Sequence, residues 1–164
     1  MIFSHKTIQL IIVFMIMQLL AGIPCYTQVK YPAPIEGDYV IKEFVFVNGE
    51  KLASLNLHYA TIGSRLVNKE GKTTNAVIIM HGSTGNGRNF LTDMFAGGLF
   101  GPGKLLDATK YYIILHDAVG RGKSGKTSDG LHMRFHSYTY ADMVLADYRL
   151  LTEHLKTNNL RTVM

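Results

Sequence analysis

Cysteine is almost absent from this 164-residue sequence, since Cys25 is the only one. One thiol excludes an internal disulfide and any zinc site built from cysteines. Positive charge is present but not organised, because the lysines and arginines are scattered apart from a small group at Arg121, Lys123 and Lys126. No predicted helix has a basic face with interleaved aromatic residues, so nucleic-acid binding is excluded as a function. With 47% hydrophobic and 18% charged residues, the chain is predicted to be globular, forming one domain or part of one.

Metal ligands and cofactor motifs are also scarce. His132 and His136 are four residues apart, a spacing that suits a metal ion when both lie on a helix. The Asp129-Gly130 turn and the lack of helical periodicity predict a loop there, and no nearby carboxylate completes a set of ligands. We therefore expect neither a bound metal nor a cofactor.

The first 25 residues have the pattern of a secretory signal peptide. Lys6 supplies positive charge, residues 8–22 are almost wholly apolar, and Pro24 ends any helix. The apolar run falls short of the roughly 20 residues that a membrane-spanning helix needs. We predict removal of residues 1–25 and export to the periplasm or the extracellular space. The alternative is that this segment stays as an N-terminal membrane anchor, and it would then be the protein's contact with the membrane.

The rest of the chain divides into a linker and one folded region. Residues 26–37 contain prolines and are predicted to be the linker, and residues 38–164 are predicted to form the domain. The domain starts with two runs of alternating polarity, residues 40–47 and 52–61, on either side of an Asn-Gly turn signal. This pattern predicts a β-hairpin.

Three short apolar segments predict further strands. Residues 76–80 and 111–115 are continuous apolar runs, as in strands that are buried on both faces. Residues 160–164 begin a third such run. A hairpin that leads into strands joined by crossovers predicts the α/β fold class.

One long helix is expected between these strands. Residues 139–155 have apolar side chains at helical spacing, with Asp142 and Asp147 placed away from the apolar face, which predicts an amphipathic helix of about 4–5 turns. By contrast, Gly97-Gly98 argues against a long helix in residues 90–100.

Both buried strands open into glycine-rich loops. The first loop reads H-G-S-T-G-N-G from His81, and the second reads H-D-A-V-G-R-G-K-S from His116. The second loop contains the pattern D-x-x-G-x-G-x-S at residues 117–124, and the two loops together resemble the first half of an α/β-hydrolase.

Two longer stretches narrow this resemblance. L-H-Y-A-T-I-G at residues 57–63 and G-L-F-G-P-G-K-L-L-D-A-T-K-Y-Y-I-I at residues 98–114 are similar to the homoserine O-acetyltransferase branch. The resemblance covers residues 38–164. Asp117 departs from the Asn-Gly-Gly-type sequence of the acetyltransferases, which favours another hydrolase or acyltransferase of the same branch.

The resemblance implies an α/β-hydrolase fold, with an N-terminal hairpin and the start of the parallel sheet. It also implies Ser-His-Asp acyl transfer from a small-molecule ester or acyl substrate to water or a small alcohol. The backbone N–H of Ser83 would be one oxyanion donor, with His81 and Gly82 as the supporting loop.

The nucleophile that this chemistry needs is missing, because no G-x-S-x-G pattern occurs. We expect the serine, aspartate and histidine of the triad to lie beyond Met164. The chain is therefore expected to be an N-terminal fragment, cut before the nucleophile elbow and inactive alone. Residues predicted to have structural roles are Ser83, Ser124 and Ser137 as turn or cap residues, with His81 and His116 beside the strand ends.

Two alternatives remain open. Residues 120–127, G-R-G-K-S-G-K-T, match the nucleotide-binding pattern G-x-x-x-x-G-K-T, in which Lys126 would reach a phosphate and Thr127 would hold magnesium. That pattern needs a helix to begin directly after it, whereas a turn is predicted here. The second alternative is a non-catalytic exported binding module.

Overall fold

The computed structural model describes residues 31–130 and 135–164. The predicted signal peptide, Cys25 and His132 lie outside these residues. The described chain forms one mixed sheet of five strands, in the order β1-β2-β4-β3-β5. The strands are β1 (Ile35–Val45), β2 (Lys51–Ile62), β3 (Ala76–Ile79), β4 (Tyr112–His116) and β5 (Thr162–Val163).

The predicted hairpin is confirmed, with β1 and β2 pairing antiparallel in a register that sets Val45 opposite Lys51. Gly49 closes the turn with φ +87°, a left-handed conformation that glycine adopts without steric cost. The first strand is longer than expected. It begins at Ile35, so Ile35, Glu36 and Gly37, which we assigned to the linker, lie in β1.

The alternation of buried and exposed side chains changes within β1. Glu43 has φ +52°, and Ile41 and Phe44 on either side of it are both completely buried. Strict alternation would place residues 41 and 44 on opposite faces. The left-handed Glu43 lies where the alternation changes, while the pairing register with β2 is the same on both sides of it.

The strand at the centre of the predicted site lies inside the sheet, as expected. β3 pairs parallel with β4 on one side and with β5 on the other. Val77 and Ile79 belong to one buried cluster, while Ala76 and Ile78 belong to a different one. Both faces of this strand are thus covered, which explains its uninterrupted apolar sequence.

Helices cover the sheet on both faces. The short helix α1 (Asp93–Leu99) packs through Ala96 against the face that carries Val77 and Ile79. The longer helix α2 (Tyr140–Arg149) continues into a π-helical turn, Leu150–His154, whose Leu151 packs against the opposite face of β3. Within the described residues, no helix is long and apolar enough to cross a membrane.

The predicted polar face of α2 is only partly confirmed, because two of its carboxylates are buried. Asp142 and Asp147 are 2% and 8% exposed. Asp142 caps its own helix by accepting from Thr139 N at 2.8 Å, and it also accepts from Val47 N at 2.6 Å. Burial raises the pKa of Asp142, but these hydrogen bonds outweigh burial and hold the pKa below its usual value. The hydrogen bond from Val47, close to the hairpin turn, therefore stabilises the buried carboxylate of Asp142.

The G-P-G-K-L-L-D stretch forms a tight turn that one carboxylate organises. Asp107 accepts from Thr109 N and Gly103 N at 2.9 and 2.7 Å, and from Thr109 Oγ1 at 2.6 Å. The Thr109 hydroxyl and the Gly103 and Thr109 amides lower the pKa of Asp107 from 3.8 to about 2. The ionised carboxylate thus holds the chain between α1 and β4.

We expect replacement of Asp107 by Asn to remove part of the acid dependence of stability. A depressed pKa in the folded state contributes stability above the unfolded value, which is lost as the pH falls. The wild type should therefore lose its advantage over Asp107→Asn between pH 3.8 and about 2. Urea midpoints measured across this pH range check the prediction, with the exposed Glu70→Gln as control. A constant difference between wild type and Asp107→Asn would contradict it.

Candidate active site

Two glycine-rich loops meet at the carboxyl edge of the central strands. The first follows β3 and the second follows β4, and these strands are parallel neighbours. His81 joins the loops, because its Nε2 accepts from Ala118 N at 3.0 Å while its Nδ1 donates to Gly82 O at 2.8 Å. An accepting Nε2 places the ring proton on Nδ1. Both ring nitrogens are thus used within the protein, which leaves neither to act as a base.

The carboxylate of Asp117 holds the two loops together. It accepts from Gly87 N of the first loop and from Lys123 N of the second, each at 2.7 Å. Asp117 is 3% exposed. Gly122 has φ +51°, and a Cβ at this position would overlap the Asp117 carboxylate. Glycine at position 122 is therefore required by both its backbone conformation and the space available.

Ser124 is a buried structural residue, completely inaccessible to solvent. Its hydroxyl donates to Asp117 O at 2.6 Å and accepts from His58 N at 2.8 Å. The last residue of the D-x-x-G-x-G-x-S pattern thus ties the second loop to β2. This hydroxyl is fully used and is not a nucleophile.

A cleft of about 630 Å³ opens beside the two loops. Its walls come from three segments: the loop after β3, the loop after β4, and the beginning of α2. Its lining residues are His81, Gly82, Ser83, Ala118, Val119, Arg121, Tyr138, Thr139, Tyr140 and Met143. The cleft therefore lies where open α/β sheets bind ligands, outside the carboxyl ends of the strands.

Ser83, His81 and Gly82 all line this cleft, so the three predicted residues of the oxyanion loop are brought together. Within the described part of the chain, the backbone amide of Ser83 has no hydrogen-bond acceptor. A backbone amide without a partner in the protein can donate to a developing oxyanion when it points at the reacting carbonyl. That role of Ser83 stays a prediction.

His116 pairs with a residue that the sequence did not suggest. Its Nδ1 lies 2.8 Å from Asp147 Oδ1 of α2, although the alignment falls short of a hydrogen bond. The neighbouring Asp117 faces the loops instead, as expected for adjacent residues of a strand. His116 is 1% exposed, so this pair joins the sheet to the helix beneath the cleft.

A charged network next to the loops was missed by the sequence analysis. His58 Nδ1 lies 3.0 Å from Asp38 Oδ1, and its Nε2 lies 3.4 Å from Glu36 Oε2. Glu36 also pairs with Arg88 and, at 2.9 Å, with Lys123. The hydrogen bond from Lys123 holds the pKa of Glu36 below its usual value. Counting outward from the Asn-Gly turn would have placed Asp38 opposite His58.

The loop after β4 does not form the phosphate-binding site that the nucleotide-binding alternative requires. The amide of Lys123 donates to Asp117, and the Lys126 ammonium donates to Gly122 O at 2.9 Å and pairs with Asp129 at 3.1 Å. Residues 126–130 form turns, with no helix beginning there. Among the described residues, no group of three or more metal-ligating side chains occurs. His136 instead contacts Lys51 O and Glu50 at the hairpin.

Comparison with solved structures identifies the fold. The chain superposes on an acetylester hydrolase from Corynebacterium glutamicum with a TM-score of 0.64 and 24% identity, over 79% of this chain and 36% of that one. It superposes on homoserine O-acetyltransferase from Bacillus anthracis with a TM-score of 0.58 and 25% identity, over 80% and 39%. The predicted α/β-hydrolase fold is therefore confirmed.

Sequence comparison finds relatives among the homoserine O-acetyltransferases. The chain is 33% identical over 128 residues to homoserine O-acetyltransferase of Moorella thermoacetica, which covers 69% of this chain and 33% of that protein. The chain is thus similar in sequence to the homoserine O-acetyltransferases, and it has the fold of the α/β-hydrolases. It spans about a third of the length of the curated relatives that it matches. No protein-family model matches it.

Replacement of Ser124 by Ala should destabilise the fold. The change leaves the buried His58 amide without its acceptor, which costs roughly 1–3 kcal/mol. Urea unfolding of wild type and variant measures the difference. The matched control is Ser128→Ala, at an exposed position in the same loop. Equal stability of Ser124→Ala and Ser128→Ala would show that the hydroxyl carries no structural role.

Magnesium and ATP should leave the unfolding temperature of the protein unchanged, because most amides of residues 120–127 and the Lys126 ammonium already have partners within the chain. Thermal unfolding of wild type and Lys126→Ala, with and without ATP and magnesium, checks this. A stabilisation of the wild type that Lys126→Ala abolishes would restore the nucleotide-binding alternative.

Proposed function

We propose that this chain is the N-terminal part of an exported acyl-transfer enzyme and supplies one oxyanion donor of its active site. The observation that carries the proposal is that Ser83, whose amide has no acceptor among the described residues, lines the cleft beside the two joined glycine loops. Oxyanion donors of this kind stabilise the charge that develops on an ester carbonyl during attack. Relatives named as acetylester hydrolase and homoserine O-acetyltransferase support an ester or acyl substrate.

The nucleophile and its base come, in this proposal, from sequence outside residues 1–164. Among the described residues, no serine hydroxyl is hydrogen-bonded to a histidine ring, and Ser124 is occupied by backbone groups. His81 uses both of its nitrogens. The attacking hydroxyl would form a covalent acyl-enzyme, from which the acyl group passes to water or a small alcohol. Export rests on the N-terminal apolar segment alone.

The chain alone should not hydrolyse esters. Without a nucleophile and a base there is no acyl-enzyme route, and one oxyanion donor adds little to attack by water, so p-nitrophenyl acetate should be cleaved at close to the rate in buffer. The release of nitrophenolate measures this, with Ser83→Ala, Ser124→Ala and His81→Gln as comparison variants. Hydrolysis by the wild type that one of these changes abolishes would show that the catalytic centre is already complete.

The oxyanion role itself is tested by removing the Ser83 amide. Proline at position 83 has no N–H, whereas Ser83→Ala keeps it and serves as the matched control. In amide NMR spectra of the full chain, an ester such as methyl acetate should shift the residue 83 amide signal in wild type and Ser83→Ala. Its affinity should fall in Ser83→Pro. Equal affinities in all three proteins would contradict the proposal.

A further inference from the structure

The chain enters the sheet from the edge opposite the cleft. β1 begins at Ile35, which lies opposite Thr61 near the end of β2. Ile62, the last residue of β2, lies opposite Ile113 near the start of β4. The parallel strands β3 and β4 begin side by side at this edge, which we call the amino edge. Because the cleft lies outside the carboxyl ends of these strands, the N-terminal segment joins the domain at the end without the cleft.

Tyr31 fixes the place where the preceding chain leaves the domain. Its ring meets the ring of Phe100 edge to face, with 5.9 Å between the centroids. Phe100 ends α1, directly before the turn that leads to β4, and is completely buried. Only residues 23–30 separate Tyr31 from the apolar residues 8–22, and such a connection spans at most roughly 30 Å. The apolar segment therefore begins close to the amino edge.

Three segments lie together at the amino edge, because each one leads into a parallel strand. They are residues 63–75 before β3, residues 101–111 before β4 and residues 156–161 before β5. Asn75 Nδ2 donates to Lys110 O at 2.9 Å, and Asn159 Nδ2 donates to Thr73 O at 2.8 Å. These hydrogen bonds join the three segments into one surface.

Positive charge is concentrated on this surface, although it is scattered in the sequence. The exposed cations of the three segments are Arg65, Lys69, Lys72, Lys104, Lys110, Lys156 and Arg161. The same segments contribute two carboxylates, Glu70 and Asp107, and Asp107 is 3% exposed. Among the cations, Leu66, Val67 and Leu105 are 53%, 45% and 74% exposed. Basic and apolar side chains on one surface are the combination that binds the headgroup region of an anionic membrane.

We propose that the amino edge is a membrane-docking surface, and that residues 8–22 are retained as the anchor that holds the domain beside an anionic bilayer. The lysines and arginines contact the lipid headgroups, while Leu66 and Leu105 enter the boundary between headgroups and acyl chains. The cleft then faces away from the bilayer, towards the aqueous phase. This inference goes beyond the proposed function and does not depend on the Ser83 amide.

Two features favour a bilayer over a nucleic acid as the partner. The exposed apolar side chains of the amino edge are aliphatic, whereas proteins that bind single strands stack the bases on aromatic rings. The ring of Tyr111 lies under Arg161, whose guanidinium carbon is 5.9 Å from the ring centroid. The apolar residues 8–22 also join the domain at this edge, so a bilayer that holds them lies next to the basic surface.

Fluorescent labels can show which end of the domain lies on the bilayer. The full chain with Cys25→Ser carries one cysteine labelled with NBD, at Leu66→Cys or Leu105→Cys on the amino edge. The matched control is Val47→Cys, which is 66% exposed at the hairpin turn and lies next to the first turn of α2. With vesicles of phosphatidylcholine and phosphatidylglycerol, the labels at residues 66 and 105 should emit at shorter wavelength and be quenched by spin-labelled lipid. The label at residue 47 should not respond.

Two triple variants decide whether the cations of the amino edge cause the docking. The first removes three charges from this surface by Arg65→Gln, Lys69→Gln and Lys72→Gln. The second removes three charges from elsewhere by Lys42→Gln, Lys51→Gln and Lys126→Gln. The first variant should lower the ratio of docked to undocked label at residue 105 by about tenfold or more, since each cation near an anionic surface contributes to binding. The second should leave the ratio unchanged, and amide spectra confirm that both keep the fold.

Several results would overturn this inference. If the chain sediments with the vesicles while the labels at residues 66 and 105 stay unchanged, the domain is tethered without docking. An equal response at residue 47 would show that no particular face is selected. Equal loss of docking in both triple variants, or none in the first, would remove the role of the surface charge. A response at residues 66 and 105 to duplex DNA but not to vesicles would identify a nucleic acid as the partner. None of these results bears on the Ser83 amide, so the proposed function is tested separately.

Discussion

The arrangement of this site depends on one buried carboxylate, that of Asp117 at the end of β4. It accepts one backbone N–H from each of the two glycine loops, from Gly87 and from Lys123. A buried charge without its hydrogen-bond partners costs several kcal/mol. If either loop moved away, the buried carboxylate would lose a hydrogen bond and the fold would be destabilised. The positions of the two loops are therefore fixed relative to each other. Glycine at position 122 leaves the space that the carboxylate needs.

The hairpin is joined to the same centre, although it lies at the far edge of the sheet. Ser124 connects the second loop to His58 of β2, and Glu36 of β1 pairs with cations from both loops. On the other side, His116 and Asp147 connect β4 to α2, whose first residues line the cleft. The shape of the cleft is consequently a property of the whole described domain, and not of the loops alone.

The sequence predicted the parts whose signals are local. Alternation around an Asn-Gly turn located the hairpin, and short apolar runs located β3 and β4, because strand formation and burial leave a pattern within a few residues. It failed for Asp142 and Asp147, because their partners, Val47 and His116, are far away in the chain. No periodicity reveals that a carboxylate will meet such a partner. The left-handed Glu43 was missed for a similar reason, since nothing in its neighbours requires that conformation.

The pairing of β5 with β3 has a consequence for how the chain acquires its structure. The segment before β5 binds the segment before β3 through Asn158 and Asn159, whose partners Thr73 and Gly71 are 85 to 87 residues away in sequence. Contacts of such high sequence separation require the closure of a long loop before they contribute stability, and they form slowly. During synthesis on the ribosome, the hairpin can assemble early, whereas one edge of β3 waits until residues 162–163 emerge. Over that interval the apolar central strand is open to pairing with other chains, so chaperone binding at this stage would protect the protein most.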